Sequence, residues 1–176
     1  MVERRLVVEP VEPYVEPARR LALEEFVSSY PGFYLLKRPA PRPSYRTNPD
    51  QASCEYNTAQ LRLNVDPFAD RWGVLPIRKR EGNPYPDRVS IGRAVNCDLV
   101  LRVPVISKVH AHFVRQLDGS LSLRDNQSFN GTFHNGRKLD PASCVLLVVA
   151  DRVRFGPIPF ELVDAARMCE VLRTDL

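Results

Sequence analysis

A chain of 176 residues has room for one ordinary core with a long appendage, or for two very small ones, because a single core takes up roughly 100–150 residues, and this argues against a multidomain enzyme. Hydrophobic residues make up 44% and charged residues 26%, the composition of a globular chain and not of a disordered or fibrous one. The net charge of +4 permits an anionic partner without demanding nucleic acid, but residues 1–70 carry 9 basic and 10 acidic side chains while residues 71–176 carry 16 and 11, so an anion site belongs in the back half.

Twelve of the 16 prolines fall in residues 1–87, and they set the character of the front. Residues 1–14 alternate Val and Glu around Pro10 and Pro13, which predicts an extended arm unsuited to a sheet interior. From Glu16, with Pro17 suited to a first turn, the spacing of Ala18, Leu21, Ala22, Leu23, Phe26, Val27 and Tyr30 predicts one amphipathic helix that ends at Pro31-Gly32. Phe33 to Leu36 reads as a short strand, residues 37–60 as a proline-rich linker, and the alternation of Leu61, Leu63 and Val65 with Arg62 and Asn64 as a half-buried strand.

After Trp72 the pattern is uniformly β, with short apolar runs at 73–79, 88–91, 98–101, 111–116, 121–124, 132–133, 145–149, 153–155 and 160–163. Asp118-Gly119, Asn130-Gly131, Asn135-Gly136 and Gly156-Pro157 separate them as turns. Nine short strands with no helix between them predict an all-β, antiparallel sandwich. Asp164 is suited to cap a helix over 165–172. The expected organisation is a proline-rich extension with one helix at 1–70, a sandwich at 71–164 and a short helical tail at 165–176.

Cys54, Cys97, Cys144 and Cys169 have no C-x-x-C spacing, and the Met1 start is not followed by a basic-then-apolar leader, so a reducing, cytoplasmic setting is expected. The longest apolar run, from Val145 to Ala150, is far short of the roughly 20 residues that cross a bilayer. Neither a membrane nor nucleic acid is an expected partner.

The polar residues of the back half cluster in turns assigned to one end of the sandwich: Gly92-Arg93, then Ser107-Lys108-Val109-His110, then Ser128-Phe129-Asn130-Gly131-Thr132, then Asn135-Gly136. In this order the segments resemble the forkhead-associated (FHA) domain, whose pattern is G-R, S-x-x-H, S-x-N-G-T and N-G; the resemblance covers about residues 71–164. It implies a loop-borne site for phosphothreonine in a peptide, read in Ser/Thr kinase signalling, with no catalysis, no cofactor and no metal. A phosphate dianion offers three acceptor oxygens, so it needs a guanidinium fork, a hydroxyl and further donors converging from several loops. Arg93 supplies the fork, Ser107 a hydroxyl and Lys108 a point charge. By resemblance Asn130 binds the main chain of the partner peptide, His110 holds the loops together, and Gly92, Ser128, Gly131, Thr132, Asn135 and Gly136 form the scaffold.

Phe129 departs from the family pattern, which often has a small polar residue there; its backbone N–H remains as a donor, and its ring suits an apolar ligand side chain. Ala150-Asp151 stands where the family usually has Gly-Asp in a turn. Other readings carry less weight. Asn130-Gly131 alone would read as a type I′ hairpin, His110, His112 and His134 lack supporting metal ligands, and Ser107, His110 and Asp125 as a hydrolase triad lack a G-x-S-x-G elbow. The alternative from another class is an FHA-like scaffold that binds a protein partner independently of phosphate through Phe129 and the extension. Thr47 and Thr58, in or beside the proline-rich segment, are candidates for an intramolecular ligand.

Overall fold

The computed structural model describes residues 8–40, 68 and 70–176. The expected strand at Leu61, Leu63 and Val65, along with Thr47, Thr58 and Cys54, lies outside the described residues. Two sheets form the body. One runs in the order β2 (Gly73–Pro76), β1 (Phe33–Lys37), β11 (Ile158–Asp164), β10 (Arg152–Phe155), β7 (Thr132–His134), β8 (Arg137–Lys138); the other in the order β4 (Leu99–Val100), β3 (Arg88–Gly92), β5 (Ala111–Arg115), β6 (Leu121–Asp125), β9 (Val145–Leu147). Between them lies a core in which Leu35, Ile91, Phe113, Leu123, Val153, Phe155 and Leu162 are fully buried. Each such side chain is worth about 1.5–3 kcal/mol of transfer free energy.

The sandwich is not wholly antiparallel. β3 and β4 run parallel, Ile91 opposite Leu99 and Gly92 opposite Val100, and Asp98 anchors the connection. Its buried carboxylate accepts from Ser90 N (2.7 Å), Ser90 Oγ (2.8 Å) and Arg80 N (2.9 Å) and pairs with Lys79 Nζ (3.3 Å). Burial works to raise its pKa, but those donors outweigh it and hold the group below the usual carboxylate range.

β1 lies hydrogen-bonded between β2 and β11, so the sheet takes in a strand from before residue 71. Its near-continuous run Phe-Tyr-Leu-Leu is what burial on both faces requires. Leu35 enters the sandwich, while Tyr34 and Leu36 turn to a second core against the helices, with Val11, Tyr14, Ala18, Phe26, Met168 and Leu172.

Two expectations for the front of the chain are corrected. Instead of one helix from Glu16, there are two, α1 (Glu12–Arg20) and α2 (Leu23–Ser29). α1 starts inside the stretch expected to be extended, with Pro17 within it. The break at Leu21 and Ala22, both extended, has two causes: the Glu25 carboxylate takes the Ala22 N–H (3.2 Å) and starts a new helix. Arg173 reaches over from the C-terminal helix to donate to the carbonyls of Ala18 (2.6 Å) and Leu21 (2.7 Å). The arm itself docks. Glu9 exchanges both backbone hydrogen bonds with Val74 on the free edge of β2, Val8 is buried, and a Cβ on Gly73 would lie 2.1 Å from Val8 Cγ1.

The C-terminal helix forms as expected. α3 (Ala165–Thr174) is capped by the Asp164 carboxylate, which accepts from Arg167 N at 2.8 Å. Among the described residues no helix is long and apolar enough to cross a membrane.

Ala150, in the glycine position of the turn before β10, sits at φ 75°, where its Cβ crowds the backbone at a cost of about 1–2 kcal/mol. Ala150→Gly relieves this but adds unfolded-state freedom worth about 0.4–1 kcal/mol. The net expectation is a gain of about 0.5–1 kcal/mol, seen as a rise of about 2 °C in thermal unfolding; an unchanged or lower midpoint contradicts it.

Candidate functional site

Three loops meet at one end of the sandwich: β3–β4 (93–98), β4–β5 (101–110) and β6–β7 (126–131). The first two are zipped by main chain. Arg93 N donates to Ser107 O and Ala94 N to Lys108 O, both at 3.0 Å. This closeness is why residue 92 is glycine: a Cβ there would stand 2.2 Å from the Lys108 carbonyl oxygen and 3.0 Å from Cys97 Sγ.

His110 joins the second loop to the third. Its ring is fully buried, Nδ1 accepts from Ser107 N (3.2 Å) and Nε2 lies 3.2 Å from Gly131 O. Since Nδ1 faces a donor and Nε2 an acceptor, the ring is neutral with its proton on Nε2. Burial holds its pKa below the ordinary histidine value, with the Gly131 carbonyl and Asp125 opposing. His112 is likewise lowered, by burial first and then by Arg88 and Arg124. The linkage has one sign: below the unfolded value of about 6.5 the unfolded chain takes up protons that these rings refuse. Stability is therefore full above pH 6.5 and declines as the pH falls through and below it. Urea unfolding at pH 7 and pH 5 measures this; an equal midpoint at both contradicts it.

The third loop is organised by Asp125 at the end of β6. Its buried carboxylate accepts from Ser128 N (3.0 Å), Ser128 Oγ (2.6 Å) and Thr132 Oγ1 (2.5 Å). Asn130 does not form a hairpin turn, since β6 and β7 belong to different sheets. Only Gly131 of the pair is left-handed, at φ 77°. The Asn130 Nδ2 donates to Val105 O at 2.8 Å, tying the third loop to the second.

The exposed rim of this cluster carries the chemistry. Arg93 and Lys108 are exposed, and among the described residues no acidic side chain pairs with either. Ser107 Oγ accepts from Phe129 N (3.0 Å), which spends that backbone donor within the protein but leaves the serine proton free to be given. The Phe129 ring is 89% exposed beside it. Two loops paired through their main chains thus carry a guanidinium, an ammonium and a hydroxyl donor, a set suited to an anion with several acceptor oxygens. It is unsuited to acyl transfer, because His110 takes the backbone N–H of Ser107 and not its hydroxyl.

Gly92, Arg93, Ser107, Lys108, His110, Ser128, Phe129, Asn130, Gly131 and Thr132 all come together here. Asn135 and Gly136 do not. They form the two-residue β7–β8 turn, with φ 48° and 84°, at the opposite end of β7. There Asn135 holds the start of β10, donating through Nδ2 to Asp151 Oδ1 (2.7 Å) and accepting from Arg152 N (2.8 Å). The hairpin signature in the sequence was therefore sound, but its placement at the loop cluster was not. Sequence reasoning missed Asp125 and Asp98 as organisers; neither is marked by more than its position, Asp125 three residues before Ser128 and Asp98 directly before a short strand.

Comparison with known proteins bears on the same stretch. The family model of the FHA domain matches residues 89–156. The ABC transporter ATP-binding/permease protein Rv1747 of Mycobacterium tuberculosis is 40% identical over 91 residues, 52% of this chain and 10% of that protein. The chain thus spans about a tenth of that relative's length. Among solved structures, the FHA domain of the CT664 protein from Chlamydia trachomatis aligns at 22% identity over 76% of this chain and 98% of its own, with a TM-score of 0.47. The FHA-2 domain of the M. tuberculosis ABC transporter Rv1747 aligns at 38% identity over 48% and 75%, with a TM-score of 0.37.

Proposed function

We propose that this chain, which carries an FHA domain at residues 89–156, is a non-catalytic reader of phosphothreonine in partner proteins of Ser/Thr kinase signalling. FHA domains are phosphothreonine-binding modules, and the observation that carries the reading over is the exposed pair Arg93 and Lys108 on two loops joined through their main chains, with the Ser107 hydroxyl on one of them. Arg93 forms two parallel charge-assisted bonds to phosphate oxygens, Lys108 adds charge, and Ser107 donates its proton. Asn130 keeps Nδ2 on Val105 and offers its amide oxygen to an N–H of the ligand main chain. His110, Asp125 and Gly92 hold the loops and do not touch the ligand.

The 89% exposure of Phe129 favours a second reading, in which the same end of the sandwich binds a protein partner through that ring and without phosphate. Calorimetric titration of a threonine-phosphorylated peptide library and its dephosphorylated twin separates the two. Binding of the phosphorylated set alone supports the phosphate reader; equal binding of both sets supports the second reading and defeats the first.

A further inference from the structure

The described residues cover only half of the outer face of the six-stranded sheet. α1, α2 and α3 pack over β1, β2 and β11, burying Tyr34, Leu36, Val74 and Val163; none of the described helices packs over β10, β7 and β8. That bare half is strongly basic. Phe133 lies opposite both Lys138 and Arg154, and Arg154 opposite Pro159, so these four side chains share the outward face. Arg152 stands one step further along the same face of β10, whereas Arg137, paired with His134 in register with the buried Val153, belongs to the other face. The Arg154 guanidinium is stacked 3.5 Å above the Phe133 ring centroid and donates to Gly156 O, so this cation is fixed in place and partly desolvated.

Among the described residues no carboxylate pairs with Lys138, Arg152 or Arg154. The neighbouring carboxylates have other partners: Glu161, opposite Arg152, is held by Arg38 (3.0 Å) and Arg167 (3.2 Å), Asp151 by His134 (2.8 Å), Asn135 (2.7 Å) and Val148 N (2.9 Å), and Asp140, two residues after Lys138, accepts from Ala142 N (2.9 Å). Three cations on one strand surface, Lys138, Arg152 and Arg154, with no paired carboxylate among the described residues, repel one another, a cost that an acidic ligand removes.

The patch is continuous with the loop cluster. Lys138 runs past the bare backbone of Gly131, where a Cβ would lie 2.5 Å from its Cε and 3.3 Å from its Nζ, and Gly131 directly follows Asn130. An extended segment that leaves the phosphate site past Asn130 meets Lys138 next, then Arg154 two strands across the sheet at about 10 Å, and then Arg152 about 7 Å further along β10, a path of about five extended residues. β8 is also the edge strand of its sheet, with backbone groups open on that side.

We infer that the bare β10–β7–β8 face binds an acidic flank of the same threonine-phosphorylated partner, so that the domain selects phosphothreonines neighbouring clusters of Asp, Glu or further phosphate. This rests on the phosphothreonine reading above. The contribution is electrostatic and rim-exposed, and it weakens as salt rises.

The test uses three phosphothreonine peptides on the full chain: one flanked by alanines, one with four aspartates placed four to seven residues before the phosphothreonine, and one with them after it. At about 50 mM salt, where screening is weak, one acidic peptide is expected to bind about tenfold tighter than the alanine peptide. The Lys138→Glu, Arg152→Glu double variant should erase that advantage while leaving the alanine peptide within about twofold of its original affinity. Both side chains are exposed; should the double reversal fail to fold, Lys138→Gln with Arg152→Gln tests the same point. Equal affinity of all three peptides for the unaltered protein, or an advantage that survives the substitutions, overturns the inference. Binding to phosphatidylserine vesicles that the double variant loses, with the peptides equal, assigns the face to a lipid surface and overturns it too. If no phosphopeptide binds at all, the phosphothreonine reading itself has failed, an outcome distinct from these.

Discussion

Arg93→Ala is expected to lower affinity for a phosphothreonine peptide by at least about a hundredfold, which removes a micromolar interaction from calorimetric view. A hydrogen bond to a charged group is worth about 1.5–3 kcal/mol, and Arg93 can make two in parallel to one phosphate. Tenfold in affinity corresponds to about 1.4 kcal/mol, so losing the fork costs about two orders of magnitude or more. The fold should not notice. Arg93 is exposed and its guanidinium pairs with no acid among the described residues, so thermal unfolding is expected to stay within about 1–2 °C, the range of ordinary surface substitutions. Arg93→Lys keeps the charge and loses the planar fork, and belongs between the two. A folded Arg93→Ala protein that still binds would remove the anion-site assignment.

Asp125→Ala is expected to produce the opposite pattern, a large loss of stability without removal of any group proposed to touch the ligand. The carboxylate satisfies three donors, of which Thr132 Oγ1 is fully buried. Each donor left unsatisfied in the interior costs about 1–3 kcal/mol. Ser128 can turn to water, so the sum is about 3–4 kcal/mol, or about 10 °C in the unfolding midpoint of a chain of this size. Asp125→Asn retains an acceptor oxygen and should lose less than half as much. A midpoint lowered by less than about 3 °C in Asp125→Ala would show that the β6–β7 loop does not depend on this carboxylate. Binding lost in Asp125→Ala at a temperature where it remains folded would be an effect of loop position.

The contrast between these residues also marks what the sequence makes legible. Arg93, Ser107 and His110 stand out in the sequence because the segments that carry them follow one another in the order of the FHA pattern, and the structure shows what local demands lie behind that pattern. Gly92 has no room for a Cβ, Gly131 sits at positive φ, and polar side chains recur at fixed offsets from both. The strand pattern was legible for the same kind of reason, alternation being a property of neighbours. Asp125 shows no such signature, because its worth lies in which donors the folded loop presents to it. The break between α1 and α2 was invisible for a plainer reason: part of its cause is Arg173, more than 150 residues further along. The placement of Asn135-Gly136 failed at the next level up, where a correct hairpin signal does not say which end of the sandwich the hairpin occupies. β1 was readable as a strand, but not its seat in the middle of a sheet, which depends on β2 and β11 arriving on either side.

The most direct test of the central claim is a ¹⁵N-resolved NMR titration of the full chain with a phosphothreonine peptide and its dephosphorylated twin. The phosphorylated peptide is expected to shift the backbone amides of Arg93, Ser107, Lys108, Phe129 and Asn130, with the Phe129 amide moving as Ser107 Oγ turns to the phosphate, and the twin to shift none of them. Equal shifts from both peptides, or shifts that fall elsewhere and leave this end of the sandwich still, would contradict the assignment of these loops as a phosphothreonine site.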